Sequence, residues 1–209
     1  MDFPSPPTWI AFDRSTRIAF GPPREVAAKV KAFVDKDVRA SVFILDALTS
    51  QTVDLDLRGT PAAVLKRLPR EPGTLAALPL ERSTQAPKGP GRPRLGVVAR
   101  EVTLLPRHWE WLASQPGGAS VALRKLVELA SRTSQPADAL RFSREAAYRF
   151  MSAMAGNEPG FEEATRSLFH GDIEGAGKCM NGWPTDVRQH ALRLLEATRA
   201  HLQAAQPTR

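Results

Sequence analysis

A few groups of side chains in this sequence have types and spacings that could do chemistry. Asp54 and Asp56 stand two apart in an alternating run, so both carboxylates would fall on one face of a strand. Paired oxygen donors of that kind can hold a divalent cation. Alternation alone explains them better, as the solvent side of a half-buried strand. His170, Asp172 and Glu174 offer nitrogen and oxygen donors, but their spacing matches no strong metal site and a polar surface loop accounts for them. Cys179 is the single cysteine and lies among apolar neighbours, so it reads as a small buried hydrophobe. Basic residues are the stronger signal. Residues 81–132 hold nine basic and four acidic side chains, net +5, against +2 for 1–80 and zero for 133–209. Lys88, Arg92, Arg94, Arg100 and Arg107 supply most of this excess, which is the placement expected of a segment that meets a polyanion.

The elements that must position these residues follow from periodicity. Residues 97–105 are β-prone. Alternation puts Arg100, Val98, Val102 and Leu104 on one face, and Glu101 and Thr103 on the other. Pro106 ends that run and opens a short helix bearing Trp109 and Leu112. Pro116-Gly117-Gly118 breaks it. Ser120 is a good N-cap for a second helix, with Leu123, Leu126, Val127 and Ala130 at i, i+3, i+4 and i+7.

Residues 1–69 read as a small ββαββα domain. Runs at 8–12 and 17–20 form a hairpin, and a helix over about 24–36 carries Val26, Val30, Phe33 and Val34 on one stripe. The continuous apolar run 41–45 predicts a strand buried on both faces. Residues 51–58 alternate, and Thr60-Pro61 opens a helix to about Leu68. This order predicts helices on one face of a mixed sheet. Residues 70–94 form a Pro/Gly/basic linker, since 69–94 hold six prolines and three glycines. Residues 95–135 are the strand-helix-helix unit, and 136–209 read as a helical bundle. In that bundle Ser143 caps one helix, Pro159 opens the next, Asp172 begins a weak one, and Thr185 caps the last.

Strand, helix, turn, helix at 95–135 resembles the ribbon-helix-helix DNA-binding proteins, MetJ and Arc among them. The residues Ser120-Val-Ala-Leu-Arg-Lys-Leu-Val-Glu128 are similar to their second helix. The resemblance implies a homodimer whose paired strands enter the major groove. Carried over, base reading falls to Arg100, Glu101 and Thr103, and a phosphate clamp to the backbone around Ser120. Gly91-Arg92-Pro93 resembles the core of an AT-hook, with Pro90 where that motif carries a basic residue. Nearly the whole chain is also similar to a bacterial family of uncharacterised proteins, on Val-Asp-Leu-Asp-Leu-Arg-Gly (53–59), Arg-Glu-Val-Thr-Leu-Leu-Pro-Arg-His-Trp (100–109) and Gly-Trp-Pro (182–184). That likeness implies no activity.

Apolar content of 42% excludes a wholly disordered chain. No apolar run approaches the roughly 18 residues of a membrane span, so a cytoplasmic, nucleoid-associated protein without a membrane role is expected. The expected function is transcriptional regulation or DNA architecture: a homodimer on double-stranded DNA, through Lys88, Arg92, Arg94, Arg100, Glu101, Thr103, Arg107 and Ser120. No enzyme, metal or cofactor is expected. The alternative is a protein–protein adaptor in which the C-terminal helices hold a partner and the basic segment is a tether.

Overall fold

The structure, a computed structural model, describes residues 8–37, 39–68 and 100–205. Among them the chain is α+β and mostly helical: β1 (Trp9–Asp13), β2 (Thr16–Gly21), α1 (Pro23–Lys36), β3 (Val42–Asp46), α2 (Pro61–Arg67), α3 (Pro106–Ser114), α4 (Gly118–Ala155), α5 (Phe161–His170), α6 (Ile173–Cys179) and α7 (Thr185–Ala205). The described residues divide into two units, 8–68 with 133–205, and 100–132. The expected separate domains at 1–69 and 136–209 are therefore one body.

The reason lies in β1. Its sequence Trp-Ile-Ala-Phe is apolar at four successive positions, and alternate side chains of a strand point to opposite faces. Strand order is β2-β1-β3, both pairings antiparallel, so β1 is central. The sheet is not mixed, as 1–69 had suggested. Trp9 and Ala11 pack with Val26, Ala27 and Val30 of α1 and with Ile44. Ile10, Phe12 and Leu45 instead join Phe150 and Met151 of α4, Leu168 of α5, Ala176 of α6 and Val187, Ala191 and Leu195 of α7. Helices cover both faces of the sheet rather than one. The Phe12 and Phe150 rings lie 5.8 Å apart, tilted at 48°.

Residues 51–58 are not a strand. Thr52 makes one antiparallel bridge to Leu45, after which the segment stays extended without a ladder. Its alternation is real nonetheless: Val53, Leu55 and Leu57 are half-buried against the α1-side core, and the residues between them are exposed. Aspartate is a poor strand former, and packing alone satisfies the pattern. The end of this segment is held by Arg67 of α2, whose Nη2 donates to the carbonyls of Asp56 (3.0 Å) and Arg58. Thr60 caps α2 as expected, its Oγ1 accepting from the Ala63 amide at 3.3 Å.

α4 is the largest departure. It runs unbroken for 38 residues, with Pro136 inside it and Ser143 mid-helix rather than at a cap. Ser143 Oγ donates to the Leu140 carbonyl instead. Proline lacks an N–H, so the Arg132 carbonyl loses its usual i+4 donor. The later helices start close to the expected places: α5 two residues after Pro159, α6 directly after Asp172, and α7 at Thr185 itself rather than after it. Gly160 precedes α5 at φ 79, where a Cβ would meet the Cys179 carbonyl oxygen at 2.5 Å, so only glycine fits. Asp172 caps α6, accepting from the Gly175 amide at 2.8 Å, and this offsets the glycines that weaken that helix.

Phe12→Ala should cost about 3–5 kcal/mol, because it empties the sheet side of the shared core. Chemical denaturation followed by circular dichroism and by Trp fluorescence should then show the sheet and the C-terminal helices lost in one shifted transition. Two separate transitions would contradict a common core. Pro136→Ala should restore the missing helical bond, worth about 3 kcal/mol locally. Amide exchange around residue 136 should slow in that variant.

Candidate interaction site

The second unit carries the residues expected to meet DNA. Lys88, Arg92 and Arg94 lie outside the described residues, as do residues 97–99 of the expected strand. Residues 100–105 have no strand conformation. Arg100, Glu101, Val102 and Thr103 are all exposed, so this stretch has no inner and outer face. Within one chain residues 100–105 therefore form no strand: with no second strand to bond to, the backbone has no ladder to impose two-sided order. Pro106 does open α3, and Arg107 stands exposed in its first turn. Ser120 is exposed within the first turn of α4 rather than at its cap, because the helix begins at Gly118. The turn into α4 depends on Gly117, at φ 88, where a Cβ would press on the Val121 side chain at 3.1–3.2 Å.

Of the helical stripe Leu123, Leu126, Val127 and Ala130, the last three are exposed. Leu112 and Ala122 are buried, whereas Trp111 is 51% exposed and Val127 65%. Trp109 and Leu126 are more than two-fifths exposed, and Val102 and Leu105 about half. Among the described residues, Arg100, Arg107, Arg124 and Lys125 have no carboxylate within 4.0 Å. Arg132 reaches Glu128 one turn back, its Nη2 2.7 Å and its Nε 3.1 Å from Oε1. Large exposed apolar side chains and cations without a carboxylate partner among the described residues thus share α3, the start of α4 and the stretch before α3.

The other candidate chemistry resolves into structural roles. Asp56 Oδ1 accepts from the Arg58 backbone amide and from Arg58 Nε, each at 3.0 Å, and Arg67 Nε lies 3.5 Å from Oδ2. The Arg58 side-chain and backbone hydrogen bonds hold its carboxyl below the usual range. Asp56 is thus occupied by two arginines. His170 closes α5, with Nδ1 2.8 Å from the Arg166 carbonyl oxygen, and Asp172 is the α6 cap. No group of three His, Cys, Asp or Glu among the described residues could hold a metal ion. Cys179 is half-buried and free, packed against the shared core.

One residue escaped the sequence reading. His190 of α7 is 2% exposed, and among the described residues neither ring nitrogen has a hydrogen-bond partner. Its ring meets Phe150 edge-on, with centroids 4.6 Å apart. Burial, with smaller contributions from the charges of Arg193 and Arg17, lowers its pKa from 6.5 to about 4. Its place was legible, since 190 falls on the stripe of 187, 191 and 194.

That depressed pKa makes stability pH-dependent in a defined direction. The unfolded imidazole takes up a proton as pH falls through 6.5, while the folded one resists until about 4. The stability held above 6.5 is therefore lost on acidification, amounting to roughly 3 kcal/mol at pH 4. Urea titrations from pH 7 to pH 4 should show a steep acid limb in the parent protein. In His190→Leu that limb should be shallower by about this amount; an unchanged limb would mean His190 is not its source.

Comparison with known proteins gives the remaining observations. No curated protein and no solved structure matches this chain. No helix among the described residues is long and apolar enough to cross a membrane. A family described as "Uncharacterized protein conserved in bacteria (DUF2239)" matches residues 8–195, which takes in the sheet, α1 to α6 and the first half of α7. The chain belongs to that bacterial family.

Proposed function

We propose that this protein acts by association, and that residues 100–132 are a docking face covered by a second copy of the chain. The observation that carries this reading is the exposure of Trp109 and Trp111 on α3 and of Leu126 and Val127 near the start of α4. Side chains of this size lose about 25 cal/mol per Å2 of favourable burial when left in water, and large exposed apolar side chains gathered in one segment mark an interaction surface. The partner is a like helix, because Leu123, Leu126 and Ala130 repeat at spacings of three and four, the spacing by which two similar helices interlock. A two-fold interface built from one patch needs only that patch to be self-complementary.

A second reading, duplex DNA as the polyanion that such a dimer holds, is favoured by charge. It draws on the +5 of residues 81–132 and on exposed Arg100, Arg107, Arg124 and Lys125 without ion-pair partners among the described residues. It does not depend on a strand ribbon. Cations of this kind would displace counterions from the phosphate backbone and make binding salt-dependent without reading sequence.

Light scattering at low micromolar concentration should report about twice the chain mass of 22.9 kDa. The double variant Leu126→Ser, Val127→Ser should be monomeric yet keep the folded sheet-and-helix unit, since both side chains are exposed within one chain. A parent protein that is monomeric at every concentration rules the docking reading out. For the DNA reading, Arg100→Ala with Arg107→Ala should flatten the log–log salt slope on random duplex by about one to two units. An unchanged slope would place the contacts elsewhere.

A further inference from the structure

We infer that a cleft in the larger unit binds a small carboxylate with an apolar body. The cleft holds about 350 Å3 and lies between the turn after β3, the second half of α4, and α7. That volume is at the lower end of small-molecule sites, which are typically apolar with a few placed polar groups. Leu48, Phe142, Leu194 and Ala197 supply the apolar wall. Leu48 is 66% and Phe142 58% exposed, so an apolar guest would take both out of water.

Charge selects the guest. Glu145 and Arg149 both line the cleft. Glu145 faces Arg141 at 3.8 Å, so its charge is partly answered. Arg149 has no carboxylate within 4.0 Å among the described residues. Its Nη1 donates to the Thr49 carbonyl, which anchors the guanidinium and leaves its other N–H groups available. A planar guanidinium held in place matches a carboxylate with two parallel hydrogen bonds. The nearby Glu145 would repel a doubly charged head such as a phosphate, so a single negative charge fits best.

The wall that anchors Arg149 is itself fixed. Asp46 Oδ1 accepts from the Leu48 amide (3.0 Å), the Thr49 amide (2.7 Å) and Thr49 Oγ1 (2.9 Å). The next residue, Ser50, is fully buried at φ 54, with no partner for its hydroxyl among the described residues. A left-handed serine that leaves a buried hydroxyl unbonded is held by its surroundings, and such positions gather at ligand clamps.

The test titrates the full-length protein with octanoate, octan-1-ol and octylammonium, which share a chain and differ in head charge. Octanoate should bind once per chain, about tenfold or more tighter than the other two, as expected for a charge-assisted pair over a neutral one. Arg149→Gln should bring octanoate down to the affinity of octan-1-ol. Ala197→Phe should fill the cleft and abolish octanoate binding without lowering the melting temperature of the free protein. If that variant melts early, Ala139→Phe fills the same space from α4. Equal affinity for the three probes, an unchanged octanoate affinity in Arg149→Gln, or full binding by a filled cleft would each overturn the inference.

Discussion

The larger unit depends on one strand having no solvent side. β1 gives its backbone to β2 and β3, and alternate side chains to two different apolar layers. A strand so placed can expose nothing without opening a core. One face is covered by α1 and the half-buried 53–57 stretch, and the other by helices more than a hundred residues away in sequence. The chain closes on itself for this reason. The sheet cannot be finished by its own hairpin and α1, and the C-terminal helices cannot hide Phe150 or Val187 without the sheet. His190 belongs to the same constraint. It packs on Phe150 in a layer where no polar partner reaches it, so desolvation sets its charge state.

Local signals were legible wherever a residue's own chemistry decided the outcome. Pro23, Pro61 and Pro106 open helices, Thr60 and Asp172 cap them, and the 41–45 run forms β3. The continuous apolar character that marked β3 as doubly buried is present in β1 as well. Read in the same way, it would have shown that the sheet needs a second layer of helices. The single helix α4 was hidden by Pro136, because a proline in a helix interior ordinarily ends it. Here helical residues on both sides outweigh one missing bond. Alternation at 51–58 located the faces correctly but not the ladder, since period two records packing and not pairing.

The proposed docking face was half legible. The sequence located the relevant segment and its apolar stripe, Leu123 to Ala130, but a stripe records only that a face is apolar. Whether the chain covers it depends on elements distant in sequence. Leu126 and Val127 are as apolar as Val187 and Leu195, yet the first pair faces water and the second is buried. The expected readers Arg100 and Thr103 were assigned to opposite faces of a strand, and such faces exist only once a second strand is bonded to the first.

The middle of α4 shows why the uncovered stripe matters physically. Residues 124–137 are exposed all round, fourteen positions and about 21 Å of helix. A solvated segment of this length is marginal as a helix by itself. The Glu128–Arg132 pair is exposed and contributes only about 0.3–0.5 kcal/mol, while Pro136 costs several times that. Local interactions therefore do not hold it. It is helical by propagation from buried positions at its two ends, Ala122 on one side and Ala147 and Phe150 on the other. The second anchor lies about six turns from Leu126 and Val127, and the first is a single small side chain about one turn away. Covering those two side chains would add burial to a stretch that its own interactions do not hold. At the proposed face, docking and helix order are then one equilibrium.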